Sequence, residues 1–139
     1  MKRISKHQII WGGNYFDLPP TKCWIVWDKE QRDFSLADGE MAWASFDKAM
    51  RIFELSRGAA NTETKIHPTQ KPIRLYEWIL SKFAKKGQRV FDSHLGSASS
   101  AIAAHYFGVD FVGCELDKDY FEAAKARFDM ATKQLAMSI

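Results

Sequence analysis

The stretch VFDSHLGSASSAIAAHYFGVDFVGCELD, residues 90–117, limits the possible folds more than any other part of the chain. "RVFD" is a short strand-like run that ends in an acid, Asp92. Gly96 follows in a turn, with Ser97, Ala98 and Ser99 as small neighbours. "SASSAIAAHYFG" is a helix of small residues that ends at Gly108, and "DFVGCEL" is a second strand that carries Glu115 at its end. Strand, turn, helix and strand in about thirty residues make a βαβ unit, whose two strands run parallel. The expected class is therefore α/β. In open sheets of this kind a ligand sits beyond the carboxyl ends of the strands, where a glycine-bearing turn meets a helix.

The side chains narrow the ligand. Gly96 and its small neighbours allow close approach to the backbone. Glu115, about twenty residues beyond the turn, stands where an acid accepts hydrogen bonds from a ribose diol. The fingerprint G-x-G-x-x-G is absent, and no Gly-Lys-Ser/Thr follows to make a phosphate loop. Asp92 would repel a pyrophosphate and welcome an ammonium group. A ribose together with a positively charged amino-acid end describes S-adenosyl-L-methionine.

The remaining segments read as further strands and helices in one domain, residues 1–139. "IIW" is a strand before Gly12-Gly13, "DLPPTK" a proline loop, and "CWIVWD" a strand buried on both faces. A third strand runs from Glu40 to Phe46, and "DKAMRIFELSRGAANTETKI" passes from a short amphipathic piece into a polar loop. "IRLYEWILSKFAKKG" places Ile73, Tyr76, Ile79, Leu80 and Phe83 on one helical stripe, with Gly87 as its stop. The last helix opens on an acidic cap and aligns Tyr120, Ala123, Ala124 and Phe128. Cys23 and Cys114 stand apart, outside any Cys/His cluster, so both read as core residues and no metal is expected. No apolar run nears the ~20 residues of a membrane span, and the basic N-terminus lacks a signal-peptide pattern, so a cytoplasmic location is expected. The net charge of +3, from 20 Lys and Arg against 17 Asp and Glu, permits nucleic-acid binding without arguing for it.

"HPTQKP" before a helix, then "FDSHLGSASSAIAAHYFGVDFVGCELDKDYFEAAKARF", resembles the DNA amino-methyltransferases that act on adenine N6 or cytosine N4. The order of the two segments is that of the family's permuted class. "IIWGGNYF" with "CWIVWDK" resembles its phage and prophage members, found in restriction-modification settings. The resemblance implies a Rossmann-like methyltransferase sheet with S-adenosyl-L-methionine as cofactor and DNA as partner. It assigns Asp92, Ser93, His94, Leu95, Gly96 and Ser97 to the methionine part and Glu115 to the ribose. Thr69 and Lys71 fall near the cofactor carboxylate, where a lysine cation has a physical reason to be. The family turn reads Asp-Pro-Phe-x-Gly-Ser-Gly; this chain differs at Ser93, His94 and Ala98, and Ala98 would add a methyl group close to the ligand.

The family holds the target amine with an Asp/Asn-Pro-Pro-aromatic loop on which the flipped base stacks. Here the look-alike is "DLPPT", Asp17 to Thr21, with Leu18 inserted and Thr21 where the ring belongs. An ordinary Pro-Pro loop is the preferred reading and a degenerate catalytic loop the alternative, so no catalytic residue is assigned. The resemblance then implies an incomplete sheet that lacks central strands and has lost cover on one apolar face. A second copy of the chain or a second polypeptide would complete it.

The expected function is S-adenosylmethionine-dependent methylation of a DNA amine, adenine N6 ahead of cytosine N4, by a truncated or split enzyme. The alternative is a non-catalytic cofactor- or DNA-binding subunit; the single glycine and "HPTQKP" argue against an oxidoreductase domain. His67 reads as a loop-ordering residue and His105 as structural, while His94 divides between ligand contact and solvent. Most of the tryptophans read as core, with Trp11 the best candidate for another role.

Overall fold

The computed structural model describes residues 5–33, 35–60, 65–67 and 70–138. It divides into two compact units, Met1–Ala60 and Asn61–Ile139. The first is mainly β and the second α/β, and among the described residues no helix is long and apolar enough to cross a membrane.

The first unit is a four-stranded mixed sheet. Strands β1 (Ile9–Trp11), β2 (Trp24–Asp28), β3 (Gly39–Ala44) and β4 (Arg51–Glu54) lie in the order β1-β3-β2-β4. A single 3-10 turn, Gly13–Tyr15, follows β1, and a four-residue helix α1 (Arg57–Ala60) follows β4. β3 is antiparallel to both β1 and β2, whereas β2 and β4 are parallel. Cys23, Ile25, Trp27, Ala42, Trp43 and Ala44 form the buried centre. Trp27 and Trp43 keep their indole N–H groups satisfied by donating to the carbonyls of Leu55 and Pro19, which is why two buried indoles are tolerated here.

β4 corrects the sequence reading, which placed an amphipathic piece at this point. "RIFE" is only four residues long and mostly exposed, so it carries no alternating pattern. Its strand character comes from parallel pairing with β2, Ile25 opposite Arg51 through Asp28 opposite Glu54. That pairing is non-local and leaves no mark on the local composition.

The second unit contains α2 (Ile73–Phe83), β5 (Arg89–Asp92), α3 (Ser99–Phe107), β6 (Asp110–Gly113) and α4 (Lys118–Ser138). β5 and β6 pair in parallel, in the register Arg89 opposite Asp110 to Asp92 opposite Gly113. This is the βαβ unit expected from the sequence. Val90 and Phe111 face the layer of α2 and α3, where Leu80, Ala103 and Ala104 are buried. α3 is buried from Ser99 to Ala104, because small side chains let its neighbours approach from more than one side. Gly108 ends it at φ 94, a left-handed cap that a side chain would oppose. α2 ends earlier than the Gly87 stop, since Ala84 already adopts extended φ and ψ.

The other sheet face is open. Phe91 and Val112 are 41% and 49% exposed. Cys114 is exposed as well, against the expectation that it is a core residue. It continues the outward parity of Asp110 and Val112 just past the end of β6, while its backbone N–H and C=O bond Asp92 and Leu95. Cys23 is buried, as expected. Among the described residues β5 and β6 pair only with each other, so both outer edges of this small sheet carry no strand.

Candidate functional site

The carboxyl ends of β5 and β6 open into a cavity of about 270 Å³. One wall is the loop after β5 together with the end of β6: His94, Leu95, Gly96, Ser97, Ser99 and Glu115. His67, Gln70, Lys71 and Tyr76 form the opposite wall, from the "HPTQKP" segment and the first turns of α2. The two segments that the resemblance assigns to one cofactor thus line one cavity.

Hydrogen bonds from the acids set the shape of the turn. Glu115 accepts the Gly96 N–H on Oε1 and the Asp117 N–H on Oε2, both at 3.0 Å. Asp92 accepts the His94 N–H on Oδ1 at 3.0 Å and the Ser100 hydroxyl on Oδ2 at 2.6 Å. Each acid therefore ties the end of a strand to the loop beyond it. A carboxylate oxygen carries two lone pairs, so Glu115 retains acceptor capacity towards the cavity that it lines. The backbone adds Leu95 N–H to Cys114 O at 2.8 Å and Ala98 N–H to Leu95 O at 3.1 Å.

Gly96 sits at φ 59, and a Cβ built there would lie 3.9 Å from the His67 ring. The His67 ring in turn packs against Tyr120, with centroids 4.4 Å apart and the planes tilted by 50°. Gly113 shows how tightly the turn is packed, since a Cβ there would come within 2.9 Å of Leu95 and Phe111. Ala98, at φ 69, is a non-glycine residue in the left-handed region. It is 1% exposed and packs beside Ala101 and Ala124, so its methyl group enters the core and does not line the cavity.

Of the residues expected at the site, Lys71, His94, Leu95, Gly96, Ser97 and Glu115 line the cavity together. Asp92 and Ser93 stand behind it. The Ser93 hydroxyl is 2.8 Å from His94 Nδ1, which orients that imidazole. Thr69 lies outside the described residues. The sequence reading did not assign Gln70, Tyr76 and Ser99 to the site, and treated His67 only as a loop residue. Gln70 lay inside the quoted motif, and its Oε1 accepts the Ile66 N–H at 2.9 Å. Tyr76 was read as an apolar stripe residue; it packs on the core and reaches the cavity as well.

The proline loop of the first unit has no free ring or hydroxyl to offer a base. The Thr21 hydroxyl donates to Ala44 O at 2.7 Å and accepts the Cys23 N–H at 3.1 Å. Pro19 O is taken by Trp43. Among the described residues no group of three His, Cys, Asp or Glu side chains is placed to hold a metal ion.

A family model described as DNA methylase, of the N6/N4 methyltransferase type, matches residues 5–126 and so spans both units. The chain is 35% identical over 63 residues to the type II methyltransferase M2.DpnII of Streptococcus pneumoniae, a match over 45% of this chain and 24% of that protein. It thus spans about a quarter of the length of that curated relative. Among solved structures, the M1.HpyAVI–SAM complex superposes with a TM-score of 0.60 at 28% identity, covering 77% of this chain and 60% of that one. The cytosine-N4-specific PvuII DNA methyltransferase gives 0.59 at 15% identity, over 81% and 55%, and so supports the fold. A glycine turn between parallel strands, a "HPTQKP" wall facing it and a family match over most of the chain agree: this chain belongs to the N6/N4 DNA methylase family.

Proposed function

We propose that the chain supplies the cofactor-binding part of an S-adenosyl-L-methionine-dependent DNA amino-methyltransferase, acting on adenine N6 in preference to cytosine N4. The observation that carries this reading is the meeting of Glu115, Gly96 and Lys71 around one cavity at the ends of two parallel strands. Glu115 would accept the ribose hydroxyls on its remaining lone pairs. Lys71 and Thr69 would meet the carboxylate of the amino-acid end. The backbone of the Ser93 to Ser97 turn would meet the ammonium end, with Asp92 holding that turn from behind through the His94 N–H and the Ser100 hydroxyl. When bound, the cofactor would supply an electrophilic sulfonium methyl for transfer to an amine nitrogen.

At about 270 Å³ the cavity lies below the ~300–1,000 Å³ usual for small-molecule sites. It suits part of such a cofactor, and β5 and β6 pair with no further described strand. We therefore propose a split arrangement, in which a second copy or a separate polypeptide lies along the open edge of β5 and brings the acceptor loop to DNA. A second reading, a non-catalytic cofactor- or DNA-binding subunit, draws support from Thr21, whose hydroxyl is committed to Ala44 and Cys23.

Methyl transfer from labelled cofactor to DNA separates the two. The split-enzyme reading expects no transfer by the chain alone and transfer once the completing polypeptide is added. Cofactor binding with no transfer in any combination would favour the second reading.

A further inference from the structure

Arg127 is absent from the cavity wall, yet it reaches the back of the turn that forms it. From α4 its Nη1 donates to Ser97 O at 2.9 Å, to Ser99 Oγ at 2.8 Å and to Ser97 Oγ at 3.3 Å. Ser97 and Ser99 are 3% and 2% exposed, so these bonds are shielded from water. Ser97 also sits between two left-handed residues, Gly96 at φ 59 and Ala98 at φ 69. Ala98 carries a Cβ and is strained in that region, and such conformations persist only where the surroundings over-determine them. The carbonyl that Arg127 grips belongs to the residue between the two.

We propose that Arg127 is the positioning residue of the cofactor turn. By fixing the Ser97 carbonyl and the Ser99 hydroxyl it holds the left-handed pair in place and aims the Gly96 N–H at Glu115. The inference rests on the cofactor reading given above for its functional consequence, but not for its structural one. All three bonds come from one guanidinium nitrogen, whose two N–H groups are shared among the three acceptors, so the planar group must lie in one orientation to serve them. The competing role is a plain strut between α3 and α4. Tyr106 already provides a contact of that kind, its hydroxyl donating to Ala131 O at 3.0 Å.

Arg127→Met keeps most of the stem volume and removes the donors; Tyr106→Phe loosens the same helix pair without touching the turn. Two readouts apply to the full chain: hydrogen exchange of the Gly96 amide without ligand, and the Kd for S-adenosyl-L-methionine by calorimetry. In Arg127→Met, Gly96 exchange should rise about tenfold and affinity fall about five- to tenfold. Arg127→Lys should lie between that variant and wild type, and Tyr106→Phe should match wild type in both readouts even if its melting temperature falls. Wild-type Gly96 exchange in Arg127→Met, or the same loss in Tyr106→Phe, would overturn the proposal. If Arg127→Met does not fold, Arg127→Lys decides by the same exchange criterion. Should wild type itself not bind the cofactor, the cofactor reading fails, while the exchange comparison still decides the role of Arg127.

Discussion

The acids at the ends of β5 and β6 do two jobs, and the division between them follows from what each touches. Glu115 lines the cavity and also anchors Gly96 and Asp117, so Glu115→Ala should weaken cofactor affinity about tenfold or more through lost charge-assisted bonds. Asp92 stands behind the turn and holds Ser100 and His94, so Asp92→Asn should cost less than Glu115→Ala. Calorimetry on both variants checks the order, and the reverse order would place the ligand elsewhere. Cysteine chemistry gives an independent test. Burial pushes the Cys23 thiol up from its ordinary value, while Cys114 is exposed. A thiol reagent at pH 8 should modify one cysteine in the native chain and two after unfolding. In the first unit, the Arg32 guanidinium and the Glu30 N–H hold the Asp28 carboxyl below its ordinary value. Because the folded value is the lower one, its contribution to stability is present above the ordinary carboxylate range and is lost as pH falls through the folded value. A carbon-13 titration of Asp28 should therefore show a depressed midpoint, and an ordinary midpoint would contradict the paired geometry.

α3 shows what the sequence made legible among the elements, and β4 shows what it hid. The small-residue run from Ser99 to Ala104 announced a helix that neighbours approach closely, and Gly108 marked its end. The acidic cap of α4 was also legible: the Tyr120 N–H bonds Asp117 Oδ1 at 3.0 Å. β4, in contrast, exists because β2 offers it a parallel edge, and Cys114 faces outward because of strand parity beyond the end of β6. Both are matters of pairing and phase, which local composition does not encode. The same limit applies at the site, where Gly96 and Glu115 were legible from spacing but Tyr76 was not, since a helical stripe residue that also meets a cavity looks like any other. The packing of α3 has measurable consequences. Ala103 is fully buried, so Ala103→Leu should destabilise the second unit by about 1–3 kcal/mol in urea melts. Ala98→Gly relieves about 1 kcal/mol of left-handed strain and gives up about 0.8 kcal/mol of buried methyl, so its net effect on stability should be close to zero.

For the molecule as a whole, the decisive feature is that, among the described residues, β5 and β6 pair only with each other. Phe91 and Val112 are exposed on one face of the pair. The isolated chain should therefore self-associate, and Phe91→Lys should shift it towards monomer in light scattering; association unaffected by that change would mean this face is not the contact. On the split-enzyme proposal, cofactor binding by this chain is separable from methyl transfer, so binding can be measured on its own. The most direct measurement is calorimetric titration of the 139-residue chain with S-adenosyl-L-methionine, run beside Glu115→Ala. Saturable one-site binding that weakens about tenfold in the variant is the predicted result. No heat with wild type, or equal affinity in both, would contradict the account.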